Sequence, residues 1–231
     1  MDQISALLQP YKETIGNVAG IVTALQMLSG AFLCNDIRKK GSATEFSSIP
    51  FLGGLILTVL SFKYAAILND AAMLRVNFFG LVLNIIYMTV YYFYTPGHNK
   101  TTVWAQIGLS GAFSAVVIGY AQYEDPDLVE FRFGMIMTVF LFALVSSPFL
   151  SLGDVIRNQS TEGLPFPMIL SGTVVSFMWL LYGLCLNNSV IVWQNVVLVI
   201  LSGIQLSLFV IYPSTPKSTK DKSKSKTKKT N

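Results

Sequence analysis

Shifting the sequence by 118 positions lays residues 1–94 on residues 119–212, and landmark residues coincide along the whole length. Asp36 falls on Asp154, Tyr64 on Tyr182, Asn69 on Asn187 and Asn77 on Asn195. Gly30 falls on Pro148, and Ser61 on Trp179. Each copy holds three apolar spans, and a seventh lies between them. An odd linker makes both copies point the same way across a bilayer, so the pseudo-symmetry axis stands along the membrane normal, a plan found in carriers. Pro50 and Pro165 are 115 residues apart, so the second copy has a loop shorter by three, and the register is restored by Tyr182.

Composition identifies the solvent. Charged residues make up 12% of the 231-residue chain, about half the ~25% typical of a soluble domain. The stretches Phe78–Tyr94, Thr101–Ala121, Phe133–Leu152 and Ile191–Tyr212 contain none. About 20 apolar residues cross a ~30 Å hydrocarbon core as helix. The reading is an all-α polytopic membrane protein whose seven transmembrane helices form two parallel three-helix repeats joined by a linker helix (3+1+3). Residues 1–14 are the extracellular N-terminus, 15–94 the first repeat, 102–121 the linker, 132–212 the second repeat and 213–231 a basic, disordered cytoplasmic tail. Individual spans are expected at about 15–34, 49–68, 74–94, 102–121, 132–152, 165–186 and 190–212. The connections are short, so the chemistry must sit between the helices.

Basic residues set the orientation. Arg38, Lys39, Lys40, Lys100 and Arg157 fall on one side, and the tail lysines from Lys217 to Lys229 join them. Lys12, Arg75 and Arg132 fall on the other, with the acidic loop Glu124, Asp125, Asp127 and Glu130. This predicts an outer (extracellular or lumenal) N-terminus and a cytoplasmic C-terminus. Cys34 and Cys185 then lie on opposite faces and cannot pair.

No Asp or Glu lies within an apolar span. Intramembrane carboxylates mark ion-coupled transporters, so their absence argues for a passive carrier. Asn77 and Asn195 occupy matching positions in spans 3 and 7. An amide offers two donors and an acceptor to a solute covered in hydroxyls; the alternative is that each bonds to a neighbouring helix. Trp179 is mid-span, where its flat face could stack on a sugar ring while its N–H donates, and core packing is the competing reading. Its repeat partner Ser61 is small, which would leave the opposite side roomy. Tyr64 and Tyr182 lie nearer the outer ends and could close the outer mouth, or be ordinary interfacial aromatics.

Pro50 and Pro165 lie near the starts of spans 2 and 6, and Pro148 one turn from the end of span 5. Proline inside a helix removes a backbone bond and loosens the preceding turn, although at a helix start it is also mere punctuation. The fourth equivalent position is Gly30, also a flexible residue. These four are expected to surround the cytoplasmic mouth.

The motifs Ser42-Ala-Thr-Glu-Phe-Ser-Ser-Ile-Pro50, Ser147-Pro148, Ser160-Thr-Glu-Gly-Leu-Pro165, Trp179-Leu-Leu-Tyr-Gly183 and Asn195 follow in characteristic order and spacing. Residues 10–212 thereby resemble the SWEET sugar transporters, or saliva family, and its animal branch in particular; that family is itself a reference example of parallel repeats. The resemblance implies a facilitative, uncoupled, bidirectional carrier of mono- or disaccharides that works by alternating access. Its partners would be sugar and the lipid bilayer, with room for a homo-oligomer. It implies substrate binding at Asn77, Asn195 and Trp179 with Ser61 close by, and a gate at Gly30, Pro50, Pro148 and Pro165. Gly30 departs from the plant pattern, which has proline there, and Asn188 stands where plant members often carry Asp. The plasma membrane is the expected location, with the Golgi or another endomembrane as the alternative. No enzymatic activity, cofactor, metal or nucleic-acid partner is expected. The main rival is a proton-coupled lysosomal exporter of small solutes from the related PQ-loop group. It needs Pro-Gln pairs at the cytoplasmic ends of helices 2 and 5 or 6, plus buried carboxylates, and this sequence has neither.

Overall fold

The structure is a computed structural model that describes residues 2–146, 155–157, 159–161 and 164–212. Pro148 and Asp154, the motif residues Ser147, Glu162 and Gly163, and the tail 213–231 lie outside the described residues. The long elements are α1 (Asp2–Leu8), α2 (Lys12–Met27), α3 (Gly30–Lys40), α4 (Ile49–Ile67), α5 (Ala71–Phe93), α6 (Gly97–Tyr123), α7 (Pro126–Val145), α8 (Phe166–Cys185) and α9 (Ser189–Ile211). Seven stretches of the described residues are long and apolar enough to cross a bilayer. Large apolar side chains such as Phe32, Phe93 and Val210 face outward, as helices immersed in lipid require. The end that carries α1 is termed outer, the opposite end inner.

The first span differs from expectation. It runs from Asp2 to Lys40, 39 residues that would extend about 58 Å as a straight helix, nearly twice the hydrocarbon thickness. Residues 2–11, expected to be plain N-terminus, are helical, because Ile4, Leu7 and Leu8 recur at helical spacing. Gln9 Nε2 and Ser5 Oγ donate to the carbonyl of Cys185 at the end of α8, at 2.7 and 3.3 Å. The helix then breaks at Leu28 and Ser29, so Gly30 opens α3 rather than sitting inside a continuous rod. The Tyr87 hydroxyl donates to the Met27 carbonyl freed by the break, at 3.1 Å. A Cβ on Gly30 would fall 2.5 Å from Cε2 of that ring, so only glycine lets Tyr87 lie there.

The α4–α5 and α8–α9 hairpins are built alike. Asp70 Oδ1 accepts from the Met73 N–H and Asn188 Oδ1 from the Ile191 N–H, each at 2.9 Å, capping α5 and α9. The residue before each cap is left-handed, Asn69 at φ 49° and Asn187 at φ 54°, a conformation that asparagine tolerates better than most. Helix packing closes a ring: α2 lies against α5 and α8, α4 against α5 and α7, and α9 against α7 and α8. The first half (α2, α4, α5) meets the second (α7, α8, α9) along two seams, α2–α8 and α4–α7. The linker α6 packs mainly on the outside of α4.

Candidate functional site

The six-helix ring encloses a cavity of about 610 Å³, within the range of small-molecule sites. Its lining is mostly apolar and, among the described residues, contains no charged side chain. Asn77, Asn195, Trp179 and Ser61 all line it, so the expected binding residues converge. From their level it extends along α8 and α9 to Leu164, Pro165 and Gln205 at the inner end.

The free atoms differ from those the sequence suggested. Asn77 Nδ2 donates to the Met73 carbonyl at 2.9 Å, and Asn195 Nδ2 to the Ile191 carbonyl at 2.8 Å. Each amide is thereby held by its own helix one turn back. One N–H and the Oδ1 acceptor of each remain without a protein partner among the described residues. The Trp179 N–H, expected to be available, is taken: it donates to Thr23 Oγ1 at 2.8 Å, across the α2–α8 seam. Its ring face is what remains. Ser61 donates weakly to Met137 Sδ at 3.5 Å across the α4–α7 seam. Of the gate positions, Pro165 lines the cavity, whereas Gly30 and Pro50 do not. Pro50 sits in the first turn of α4 and Pro165 caps α8. Pro148 lies outside the described residues.

The outer end is closed by a reciprocal lock. Tyr64 and Tyr182 are 0% and 2% exposed, not interfacial. The Tyr182 hydroxyl donates to Asp70 Oδ2 at 2.7 Å, and the Asn188 amide donates to the Tyr64 hydroxyl at 3.0 Å. Each tyrosine thus reaches the helix-capping residue of the other half. Each ring also lies against a glycine of the other half: a Cβ on Gly16 would stand 2.7 Å from Tyr182 Cε2, and one on Gly134 2.8 Å from the Tyr64 hydroxyl. Lys12 lies 3.9 Å from Asp70, and Glu130 accepts from Asn188 at 2.7 Å. The tyrosine's partner is therefore the carboxylate Asp70 in the first half, whereas in the second half it is the amide Asn188, which itself donates to the Glu130 carboxylate. The sequence reading had not singled out Asp70, Gly16, Gly134 or Thr23. The first three carry a signal all the same, since Asp70–Asn188 and Gly16–Gly134 are 118-residue pairs.

Two glycines on α2 make a paired test. Gly20 has only Val76 Cβ near its own Cβ position, at 3.9 Å. We expect Gly20→Ala to hold or raise the melting temperature, because alanine favours helix by about 0.8–1 kcal/mol. Gly16→Ala should lower it by displacing Tyr182. Thermal melts of the two purified variants check the contrast, and equal shifts would remove the lock from the account.

The family model described as "Sugar efflux transporter for intercellular exchange" matches residues 13–99 and again 131–217, two segments offset by the same 118 residues. Sugar transporter SWEET1 of Drosophila pseudoobscura pseudoobscura is 33% identical over 207 residues, 87% of this chain and 89% of that protein. Bidirectional sugar transporter SWEET10 of Arabidopsis thaliana is 31% identical over 180 residues, 76% of this chain and 62% of that protein. The solved structure of a eukaryotic SWEET transporter superimposes with a TM-score of 0.81 at 26% identity, covering 90% of this chain and 100% of that one.

Proposed function

The chain belongs to the MtN3/saliva family of sugar efflux transporters, and from that membership we propose a facilitative, bidirectional carrier whose two halves alternate access to a central sugar site. It is an integral membrane protein that transports sugar, not an enzyme. One observation carries the reading of the site: a cavity between the halves with an amide from each half on its wall. Asn77 and Asn195 would accept from sugar hydroxyls through Oδ1 and donate through the remaining N–H. Trp179 offers its face to the C–H side of a pyranose, and Ser61 leaves room opposite. Tyr64 and Tyr182 would serve as the outer gate, and Gly30, Pro50, Pro148 and Pro165 as the inner one. With the cavity reaching the inner end and the tyrosines locked, this conformation corresponds to the inner-open member of the cycle. Loop charges support an outer N-terminus and a cytoplasmic C-terminus, and we place the protein in the plasma membrane or the Golgi.

The cavity walls favour an uncoupled carrier over a proton-driven exporter. None of the described lining residues titrates between pH 5 and 8. Outside the bilayer, hydrogen bonds from the Tyr120 hydroxyl, Arg132 and the Asp125 N–H hold the Glu124 carboxyl down at about 2. A carboxyl depressed in the fold stabilises above its unfolded value of ~4.3 and loses that contribution as pH falls through the folded value. The α6–α7 turn therefore keeps its ionic contact throughout this window. We expect uptake of radiolabelled glucose into proteoliposomes to vary by less than about twofold between pH 5 and 8, as befits walls without a group titrating there. Marked acceleration by an imposed proton gradient would favour the exporter.

A further inference from the structure

Among the described residues, two buried side-chain atoms have no hydrogen-bond partner, Thr161 Oγ1 and Gln205 Nε2. Gln205 is 4% exposed and lies on α9 at the inner part of the cavity wall, as does Val145 at the end of α7. A buried amide N–H without an acceptor destabilises the conformation that contains it. A protein that visits two conformations can keep such a group if the other one supplies the acceptor.

The internal repeat identifies that acceptor. Gln205 stands 118 residues after Tyr87, and Val145 stands 118 after Met27. In the first half the Tyr87 hydroxyl already donates to the Met27 carbonyl, at the end of α2. The helix α7 ends at Val145 in the same way, and the last carbonyls of a helix lack partners within it. Glutamine is shorter than tyrosine, so the matching bond needs α9 and the end of α7 to approach more closely than α5 and α2 do.

We infer that Gln205 is a positioning residue for closure of the inner mouth: its amide donates to the Val145 carbonyl in the inner-closed state and is stranded in the inner-open one. This rests on the alternating-access reading. It also makes the halves unequal. The inner end of the first half is tied here by Tyr87, by Tyr91 donating to the Phe46 carbonyl at 3.0 Å and by the Ala43 N–H donating to the Tyr94 carbonyl at 2.9 Å. The bond equivalent to the first of these is open in the second half, so α9 and the end of α7 carry the closing movement.

The test uses Gln205→Leu, with Gln205→Met as a second apolar variant of different shape. Three properties are read on the full chain: the melting temperature of the purified protein and, in proteoliposomes, sugar counterflow and labelling of a Leu198→Cys reporter, on the cavity wall of α9, by a thiol reagent supplied at the inner side. Loss of the stranded donor should raise the melting temperature by at least about 2–4 °C. Loss of the bond in the closed state should speed inner-side labelling and slow counterflow roughly tenfold. A structural hydrogen bond in the open state would give the opposite sign, a lower melting temperature. That result, or unchanged labelling in both variants, overturns the inference. If the unmodified protein moves no sugar, the carrier reading fails instead, while melting and labelling still judge Gln205.

Discussion

Replacing Asn195 with alanine is expected to cut sugar flux roughly ten- to hundredfold while leaving the folded protein intact. The variant removes the one acceptor and one donor that the amide holds free toward the cavity. Lost hydrogen bonds of this kind are worth about 1 kcal/mol each, and more when a solute hydroxyl is left unpaired, which together span that range of affinity. The fold should tolerate the change. The bond from Nδ2 to the Ile191 carbonyl ties the side chain only to its own helix, and alanine is the better helix former. Asn77→Ala should behave alike, since Asn77 bonds back to Met73 in the same manner. Uptake at a sugar concentration below half-saturation, measured beside a thermal melt, checks both. Flux close to that of the unmodified protein in either variant would remove that amide from the binding site.

The second large effect is expected at the outer lock. Tyr182→Ala deletes a ring that is 2% exposed, touches Gly16 and donates to Asp70. Emptying a buried aromatic site costs about 3–5 kcal/mol, and at 2–4 °C per kcal/mol for a chain of this size the melting temperature should fall by on the order of 10 °C. The Asp70 carboxylate would keep the Met73 N–H and the more distant Lys12 but lose its closest partner from the other half. The α2–α8 seam should then part at its outer end, so that a Leu198→Cys reporter becomes reactive to reagent added outside and sugar counterflow is lost. Tyr182→Phe keeps the ring and removes only the hydroxyl, so its effect should be markedly smaller. A Tyr182→Ala protein that melts normally and stays sealed from outside would show that the tyrosine does not hold the halves together.

Much of this was legible in the residues. Every spanning segment must be long and apolar in its own right, since lipid contacts nearly every helix, so the apolar stretches mark where spans 2, 3, 6 and 7 run. The helices of spans 4 and 5 start earlier than expected, at Gly97 and Pro126, in polar and charged turns that helix geometry continues into. Duplication then supplied tertiary information that a single copy lacks. Asn77 and Asn195, or Ser61 and Trp179, stand at equivalent depths whatever the packing, and residues at equal depth on facing helices can share a cavity. The break at Gly30 was partly readable, because its equivalent is Pro148. The extension of the first helix to Asp2 lies outside the apolar window expected at 15–34, because Lys12 and Glu13 interrupt the apolar run, although the chain continues through a short 3-10 segment at Gln9–Tyr11.

The residues alone thus determined the number of membrane-spanning stretches, the duplication and the level of each polar group, because these follow from lipid solvation and from the spacing along one chain. Which atoms of those groups stay free was decided only in three dimensions. Trp179 gives its N–H to Thr23, 156 positions away, and each lock tyrosine finds its partner in the opposite half. Hydrogen bonds form at about 3 Å, a range at which the choice of partner depends on which helix faces which, and no linear spacing encodes that.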